Sequence, residues 1–429
     1  MYARYLMSCL KNDSFVDIEN AVANLGDNIQ ALAIDYIYNQ IGINKNEIVY
    51  VKRDFISECR DDVNIIFYSE FYEGNIKERL SFPKNVNVKG IVSAVFYDEI
   101  DVLSQRFPQI LEFLKFHQPI GCRDEHTKLY LNSLGIESYL TGCFTICFPK
   151  RNKIPLNPKT FFVDTPKELE VFIPDYIKNN SVYLTHSVQL KKYPIDLQES
   201  NRLDNIAKMT LERYRNEATL VVTGRLHVAL PCLAMGIPVI LTCNNLDFRF
   251  GWIEKFIHPY QLGEYDKINW NPLPVNIENA KNKMINLFKS LLLKDKNSAI
   301  KEFRWLDNYY SSRNRVKPYK MFREKIINVF DNYKNKKVKY IIWGAGYHCR
   351  YAYEIITEVN PMAQLVAIVD KYRTGEYKGV DIIKPNELVD CNFDHIFITT
   401  VPGTKDALEW IEKYKPENKY TFITSQHKS

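Results

Sequence analysis

TGRLHVALPCLAMGIP, Thr223 to Pro238, stands between two short apolar runs, Ala218 to Val222 and Val239 to Thr242. Leu220, Val221 and Val222 are consecutive apolar residues, two of them β-branched, the pattern of a strand buried on both faces of a parallel sheet. Leu226, Leu230, Leu233 and Ala234 then recur at three- and four-residue spacing, and Gly236 with Pro238 punctuate the end of the helix they predict. Strand, helix and strand in that order make a parallel α/β unit. Arg225 and His227 fall where the first strand ends and the helix begins. They are a fixed cation and an imidazole that exchanges protons near neutral pH, beside a helix start whose N–H groups favour anions. Thr223 and Gly224 share that turn and are further candidates for a cleft. The expectation is a phosphate site of an α/β enzyme.

The whole chain has 429 residues with 46% apolar content. At roughly 100 to 200 residues per domain, that is enough for two or three cores. The net charge is +6 with acidic and basic residues interleaved, so the balance does not point to nucleic acid. The start, MYARYLMSCLKNDSF, has neither a long hydrophobic region nor a small-residue cleavage site and does not read as a signal peptide. No run of about 18 apolar residues is present to span a bilayer. Nine cysteines are scattered without a close-spaced framework, which suits reduced thiols in the cytoplasm. Cys143 and Cys147 lack a matching pair of Cys or His at ligand spacing, so no metal site is expected.

Upstream, Gly26-Asp27-Asn28-Ile29-Gln30 opens a helix whose Leu32, Ile34, Ile37 and Ile41 keep a helical period. Gly26 lets the backbone approach a ligand, Asp27 or Asn28 can cap the helix, and Gln30 faces the same opening turn. Ile48 to Val51, Val63 to Tyr68 and Val88 to Phe96 read as strands of a first sheet. Pro119 to Asp124 is a short strand ending in Gly121-Cys122-Arg123-Asp124. It sets Arg123 at the carboxyl edge of the sheet, where open α/β folds bind ligands; an ion pair with Asp124 or Glu125 is the competing reading. The basic stretch KRNKIPLNPK marks a domain boundary. Beyond it Phe161 to Asp164 and Val182 to His186 read as strands, which puts His186 at a strand end, and Arg249 is a further guanidinium that the Asp247 to Trp252 segment can bring to the same place. The domains are expected at 1–155, 156–275 with the Arg-Leu-His motif, 276–337 as a Lys-rich helical segment with an apolar stripe of Met284, Leu287, Phe288 and Leu291, and 338–429. Tyr309, Tyr310 and the Arg313 to Lys320 region are read as a solvated face, with peripheral contact to acidic lipid left open.

The last domain opens on the strand Val338 to Trp343, then Gly344-Ala345-Gly346 and a helix, and a second strand that ends in Asp370. This is the first half of a dinucleotide-binding pattern without its third glycine. Gly344, Gly346 and Asp370 are therefore candidate nucleotide-binding residues, and a purely architectural role competes with them.

Gly26 to Gln30, Gly121 to Asp124, Thr141-Gly142-Cys143, Val163 to Pro166 and Thr223 to His227 together resemble the polysaccharide pyruvyl transferase family, over about the first 260 residues and in the family's order. The resemblance implies an α/β fold of two Rossmann-like domains facing across a cleft, as in GT-B glycosyltransferases, here followed by a smaller C-terminal Rossmann-like domain. It also implies phosphoenolpyruvate as donor and, as acceptor, a sugar of a bacterial surface polysaccharide such as capsule or O-antigen, or its lipid-linked precursor, on the cytoplasmic side of the membrane. Arg225 and Arg123, with Gly26, Asn28 and Gln30, suit the donor's phosphate and carboxylate. His227 suits proton transfer, and Asp27 suits a base or a group that orients a hydroxyl. No cofactor or metal is required, because the arginines supply the charge stabilisation. Because fold does not fix function, two alternatives remain: a glycosyltransferase using a nucleotide-activated sugar, and a carbohydrate- or nucleotide-binding module without turnover.

Overall fold

The computed structural model describes residues 1–6, 21–68, 70–71, 82–95, 108–153, 155–192, 195–243, 250–311, 320–333, 337–400, 403–415, 417 and 419–423. The chain divides into two compact units, residues 1–95 with 109–315, and 96–108 with 316–429.

In the first unit the strands are β1 (Tyr2–Leu6), β2 (Val22–Asn24), β3 (Ile48–Lys52), β4 (Val63–Phe67), β5 (Glu70–Phe71), β6 (Val86–Val95), β7 (Ile120–Cys122), β8 (Ser138–Leu140), β9 (Lys159–Val163), β10 (Ser181–Leu184), β11 (Ser187–Gln189), β12 (Ala218–Thr223), β13 (Val239–Cys243) and β14 (Pro259–Gln261). The helices are α1 (Leu25–Gln40), α2 (Pro108–Phe116), α3 (Glu125–Ser133), α4 (Asp175–Lys178), α5 (Leu197–Glu217), α6 (Leu226–Ala234), α7 (Glu278–Leu292) and α8 (Lys296–Tyr310). Two parallel sheets result, one in the order β3-β1-β4-β6-β7-β8 with β5 beside β6, the other in the order β10-β9-β12-β13-β14.

The β12–α6–β13 succession is the unit expected from Thr223 to Pro238. Val221, Val222 and Thr223 pair with Val239, Ile240 and Leu241 on one side and with Phe161, Phe162 and Val163 on the other. Being central, β12 is buried on both faces, which its apolar run requires. Its neighbour β9 shows how alternation divides the core. Phe161 stacks edge-on against Tyr214 of α5, while Phe162 joins Leu169, Ile173, Ile177, Leu220, Tyr265 and Ile268.

A two-stranded antiparallel ribbon, β2 with β11, joins the segment before α1 to the segment before α5, with Asn24 opposite Ser187. The α1 helix is buried along most of its length and packs on α5, on α6 and on the 3-10 turn Phe144–Cys147. Its cap is Asn24, whose side chain accepts from Gly26 N–H, rather than Asp27 or Asn28. The helix begins one turn earlier than the sequence suggested, so those two residues lie inside it.

The apolar stripe of α7 is buried, and α7 and α8 pack together against β4, β6 and β8. A Cβ at Gly90 would stand 2.7 Å from Leu291, and one at Gly121 would stand 2.9 Å from Phe303. These glycines are where the helices reach the sheet. Tyr310 is buried edge-on against Trp252 and so is not part of the solvated face expected there. Arg249 and, of the Arg313 to Lys320 region, Arg313 to Tyr319 lie outside the described residues.

The second unit contains α9 (Lys320–Asp331), β15 (Lys339–Trp343), α10 (Tyr347–Val359), β16 (Gln364–Val369), β17 (Gly375–Tyr377), β18 (Val380–Ile383), β19 (His395–Ile398), α11 (Thr404–Tyr414) and β20 (Lys419–Phe422). Its sheet runs β17-β18-β16-β15-β19-β20 and is parallel except at β17–β18. The architecture is Rossmann-like α/β here as well.

Candidate functional site

Two helix starts meet in the first unit. Gly26 and Gln30 lie in the first turns of α1, and His227 is the second residue of α6. A Cβ on Gly26 would stand 2.9 Å from His227 Nδ1 and 3.2 Å from its Cβ, so the absent side chain is the space the imidazole occupies. The amide nitrogen of Gln30 lies 2.9 Å from Nε2 and 3.2 Å from Nδ1. Cys143 Sγ closes the Nε2 side at 3.7 Å. His227 itself is half-buried. The ring is thus bounded by α1, by the turn after β8 and by its own helix.

Arg225 is the N-cap residue of α6, and no side chain caps that helix start. Its guanidinium is engaged at all three nitrogens. Nε pairs with Asp164 Oδ2 at 2.5 Å, Nη1 donates to Asn24 Oδ1 at 3.1 Å, and Nη2 donates to Ser187 Oγ at 2.9 Å. Asn24 and Ser187 are the facing pair of the β2–β11 ribbon, so the ribbon presents both acceptors at one guanidinium width. A guanidinium has five N–H donors, and three engagements leave two for an anion.

Asp164 closes β9 in the left-handed region, at φ 47°, a conformation that costs a non-glycine residue about 1 kcal/mol or more. The bend lets one carboxylate oxygen pair with Arg225 and accept the backbone N–H of His186 at 2.8 Å. The His186 ring is buried and its Nε2 lies 2.8 Å from the Tyr214 hydroxyl. Burial, and then the Arg225 charge, hold its imidazole down to about 4 against the opposing pull of Asp164. At neutral pH it is uncharged.

The other residues singled out from the sequence are distributed as follows. Thr223 is buried, donates to Val163 O at 2.9 Å and accepts the Arg225 N–H at 3.0 Å, and so shapes the turn. At Gly224 a Cβ would stand 3.1 Å from Asp164 O. Asp27 is buried in the first turn of α1. Asn28 Nδ2 donates to Asp204 Oδ1 at 2.7 Å, and Asp204 also pairs with Arg4 at 2.6 Å, so this amide serves a buried polar network. Arg123 is buried after β7, next to Asp124, whose side chain caps α3 through Thr127 N–H.

In the second unit Gly344 has φ 107°, and a Cβ there would stand 2.6 Å from Thr400. Gly346 caps α10. The Asp370 carboxylate accepts N–H bonds from Ala345, Tyr372 and Arg373, so its charge is spent on the loop itself. Among the described residues no group of three His, Cys, Asp or Glu side chains could hold a metal ion. None of the described helices is long and apolar enough to cross a membrane.

The family model described as polysaccharide pyruvyl transferase matches residues 24–245, just over half of the chain. The chain belongs to the polysaccharide pyruvyl transferase family. The matched span begins at Asn24, the acceptor shared by α1 and Arg225, and ends just beyond β13. It therefore contains every side chain described around His227 and Arg225. Membership makes the protein a polysaccharide-modifying transferase. A second model, described as C2185-like, N-terminal, matches residues 334–419. No curated protein matches the chain.

Four side chains of this cluster, Asn24, Cys143, Asp164 and Ser187, carry no functional signal of their own in the sequence. Asp164 and Cys143 lie within the segments that carry the resemblance. Ser187 had no local signal, since only the ribbon register brings it to Arg225.

Proposed function

We propose that this transferase moves a pyruvyl group from phosphoenolpyruvate to two hydroxyls of a sugar in a surface polysaccharide or its lipid-linked precursor. The observation that carries the reading is the convergence of two helix N-termini on His227, beside an arginine held at three nitrogens with two donors to spare. The donor substrate carries a phosphate and a carboxylate. Helix starts and a fixed guanidinium suit such a dianionic ligand, and a preset fork loses little entropy on binding it.

In the reaction the CH2 carbon of phosphoenolpyruvate gains a proton and becomes CH3. The C2–O bond to phosphate breaks with its electron pair going to phosphate, and two C–O bonds form from C2 to the sugar. One hydroxyl proton replaces the one delivered to carbon and the other leaves on phosphate. His227 is the group for proton transfer, and Arg225 with the α6 N-terminus stabilises the departing phosphate. Arg123 and Gln30 are assigned to the donor's carboxylate, and Asp27 to a sugar hydroxyl.

Phosphoenolpyruvate is expected to raise the melting temperature, and Arg225→Ala to remove that shift. Incubation with candidate acceptors should release phosphate and add the mass of one pyruvyl ketal. Stabilisation by a nucleotide-activated sugar and not by phosphoenolpyruvate would overturn the proposal in favour of glycosyl transfer. Stabilisation by neither, with His227→Ala leaving the biological output intact, would favour a binding module.

A further inference from the structure

His227 has a neighbour that can itself hold a proton. Cys143 is buried, and its Sγ lies 3.7 Å from His227 Nε2. Thr145 Oγ1 donates to the same sulfur at 3.2 Å, a bond that favours the thiolate over the thiol. The turn that carries Cys143 is held by Gly142, at φ 70°, where a Cβ would collide with Trp252 and Tyr310. The sulfur is therefore placed by a packed turn against a histidine that is itself wedged against Gly26. The side-chain amide of Gln30 can present either N–H or oxygen to the ring, so it accommodates both protonation states of the imidazole.

We propose that Cys143 and His227 form a thiolate–imidazolium pair, and that the proton held between Sγ and Nε2 is the one delivered to the enol carbon of the donor. This rests on the phosphoenolpyruvate reading for its substrate, though not for the existence of the pair. Starting as thiolate and imidazolium, the pair gives one proton to the CH2 carbon and is left as thiolate and neutral imidazole. The positive charge created at C2 is met by the first sugar hydroxyl, whose proton returns to the pair. The C2–O bond to phosphate then breaks, and the second hydroxyl bonds to C2 and gives its proton to the departing phosphate. Cys143 acts through His227 and is a positioning residue. It raises the affinity of the imidazole for a proton, and so sets the pH at which the acid is loaded.

Among the described groups, those that surround the pair come from several elements. Thr145 and Cys147 lie on the turn itself, Gln30 on α1, Arg225 at the start of α6 and Tyr310 on α8. Lys281 donates to Ala234 O and Glu278, and its charge acts on Cys147, whose thiol burial pushes far up. Burial pushes the Tyr310 hydroxyl well up as well, so it stays neutral. Neither Cys147 nor Tyr310 competes for the proton near neutral pH.

The test is a histidine titration by nuclear magnetic resonance on the full chain labelled at imidazole carbon, with the His227 signal identified by its loss in His227→Gln. Cys143→Ala is expected to lower the His227 midpoint by about one pH unit or more, because the partner anion is gone. Cys143→Ser is expected to do the same with the turn's packing preserved, and melting temperatures confirm that both variants fold. With phosphoenolpyruvate and acceptor, kcat should fall about tenfold or more in Cys143→Ala while KM for phosphoenolpyruvate changes little. An unchanged midpoint in both variants, or wild-type kcat in Cys143→Ala, overturns the pair. A midpoint that shifts in an enzyme whose wild type releases no phosphate from phosphoenolpyruvate leaves the pair standing and overturns the donor instead.

Discussion

Gly26 carries a consequence out of proportion to its size. It lies in α1, where alanine is the better helix former by up to about 1 kcal/mol, yet its missing Cβ is the space beside His227 Nδ1. Gly26→Ala should therefore leave thermal stability within a few degrees of wild type while displacing the imidazole and lowering kcat about tenfold or more; paired melting and turnover measurements check this. His186 gives a pH signature. Its folded-state imidazole is held down to about 4, first by burial and then by Arg225, against roughly 6.5 when unfolded. Between those values the unfolded chain binds the extra proton. The contribution to stability is complete above about pH 6.5 and is lost as pH falls toward 4. His186→Gln should flatten the loss of melting temperature over that window. His395 in the second unit is also held down to about 4, by burial and then Lys419, so the single substitution separates the two.

At the scale of elements, the β2–β11 ribbon does two things through one residue. Asn24 Oδ1 accepts the Gly26 N–H as the cap of α1 and also receives Arg225 Nη1. Asn24→Ala removes both, so it should cost about 1 kcal/mol of unfolding free energy and raise KM for phosphoenolpyruvate. Asn24→Asp keeps the cap and should recover the stability. Denaturant unfolding beside steady-state kinetics resolves the two effects. The capping error in the sequence reading has the same origin. Asp27 and Asn28 are good capping types, but β2 runs directly into α1 at Asn24, and ribbon pairing, including Leu25 N–H to His186 O at 2.9 Å, decides where the helix starts.

Across the first unit, a buried charge network joins elements of both sheets' surroundings. Arg4 on β1 pairs with Asp204 on α5 at 2.6 Å and with Asp35 on α1 at 3.2 Å, and Asn28 donates to the other oxygen of Asp204. Arg4→Met would leave the Asp204 carboxylate buried without its cation and should cost about 3–5 kcal/mol, measured by denaturant unfolding. Replacing Arg4 and Asp204 together by apolar residues should cost less than the single change. At this scale α7 also reaches the site's scaffold, because the Lys281 ammonium donates to Ala234 O at the end of α6, where the helix dipole favours a cation.

What the sequence determined by itself was local. The apolar run of β12, the period of α6 and the turn between them depend on neighbours a few residues away, so the parallel α/β class and the placement of Arg225 and His227 at a strand end were legible in the sequence alone. The partners of those two residues were not. Asn24 lies 201 residues from Arg225, Gln30 lies 197 from His227, and Cys143 lies 84 from it. Neither periodicity nor spacing carries such separations. Ribbon register, the left-handed bend at Asp164 and the packing of α1 on α6 bring these groups together, because each is settled only when two sheets have formed and their helices must share one buried face.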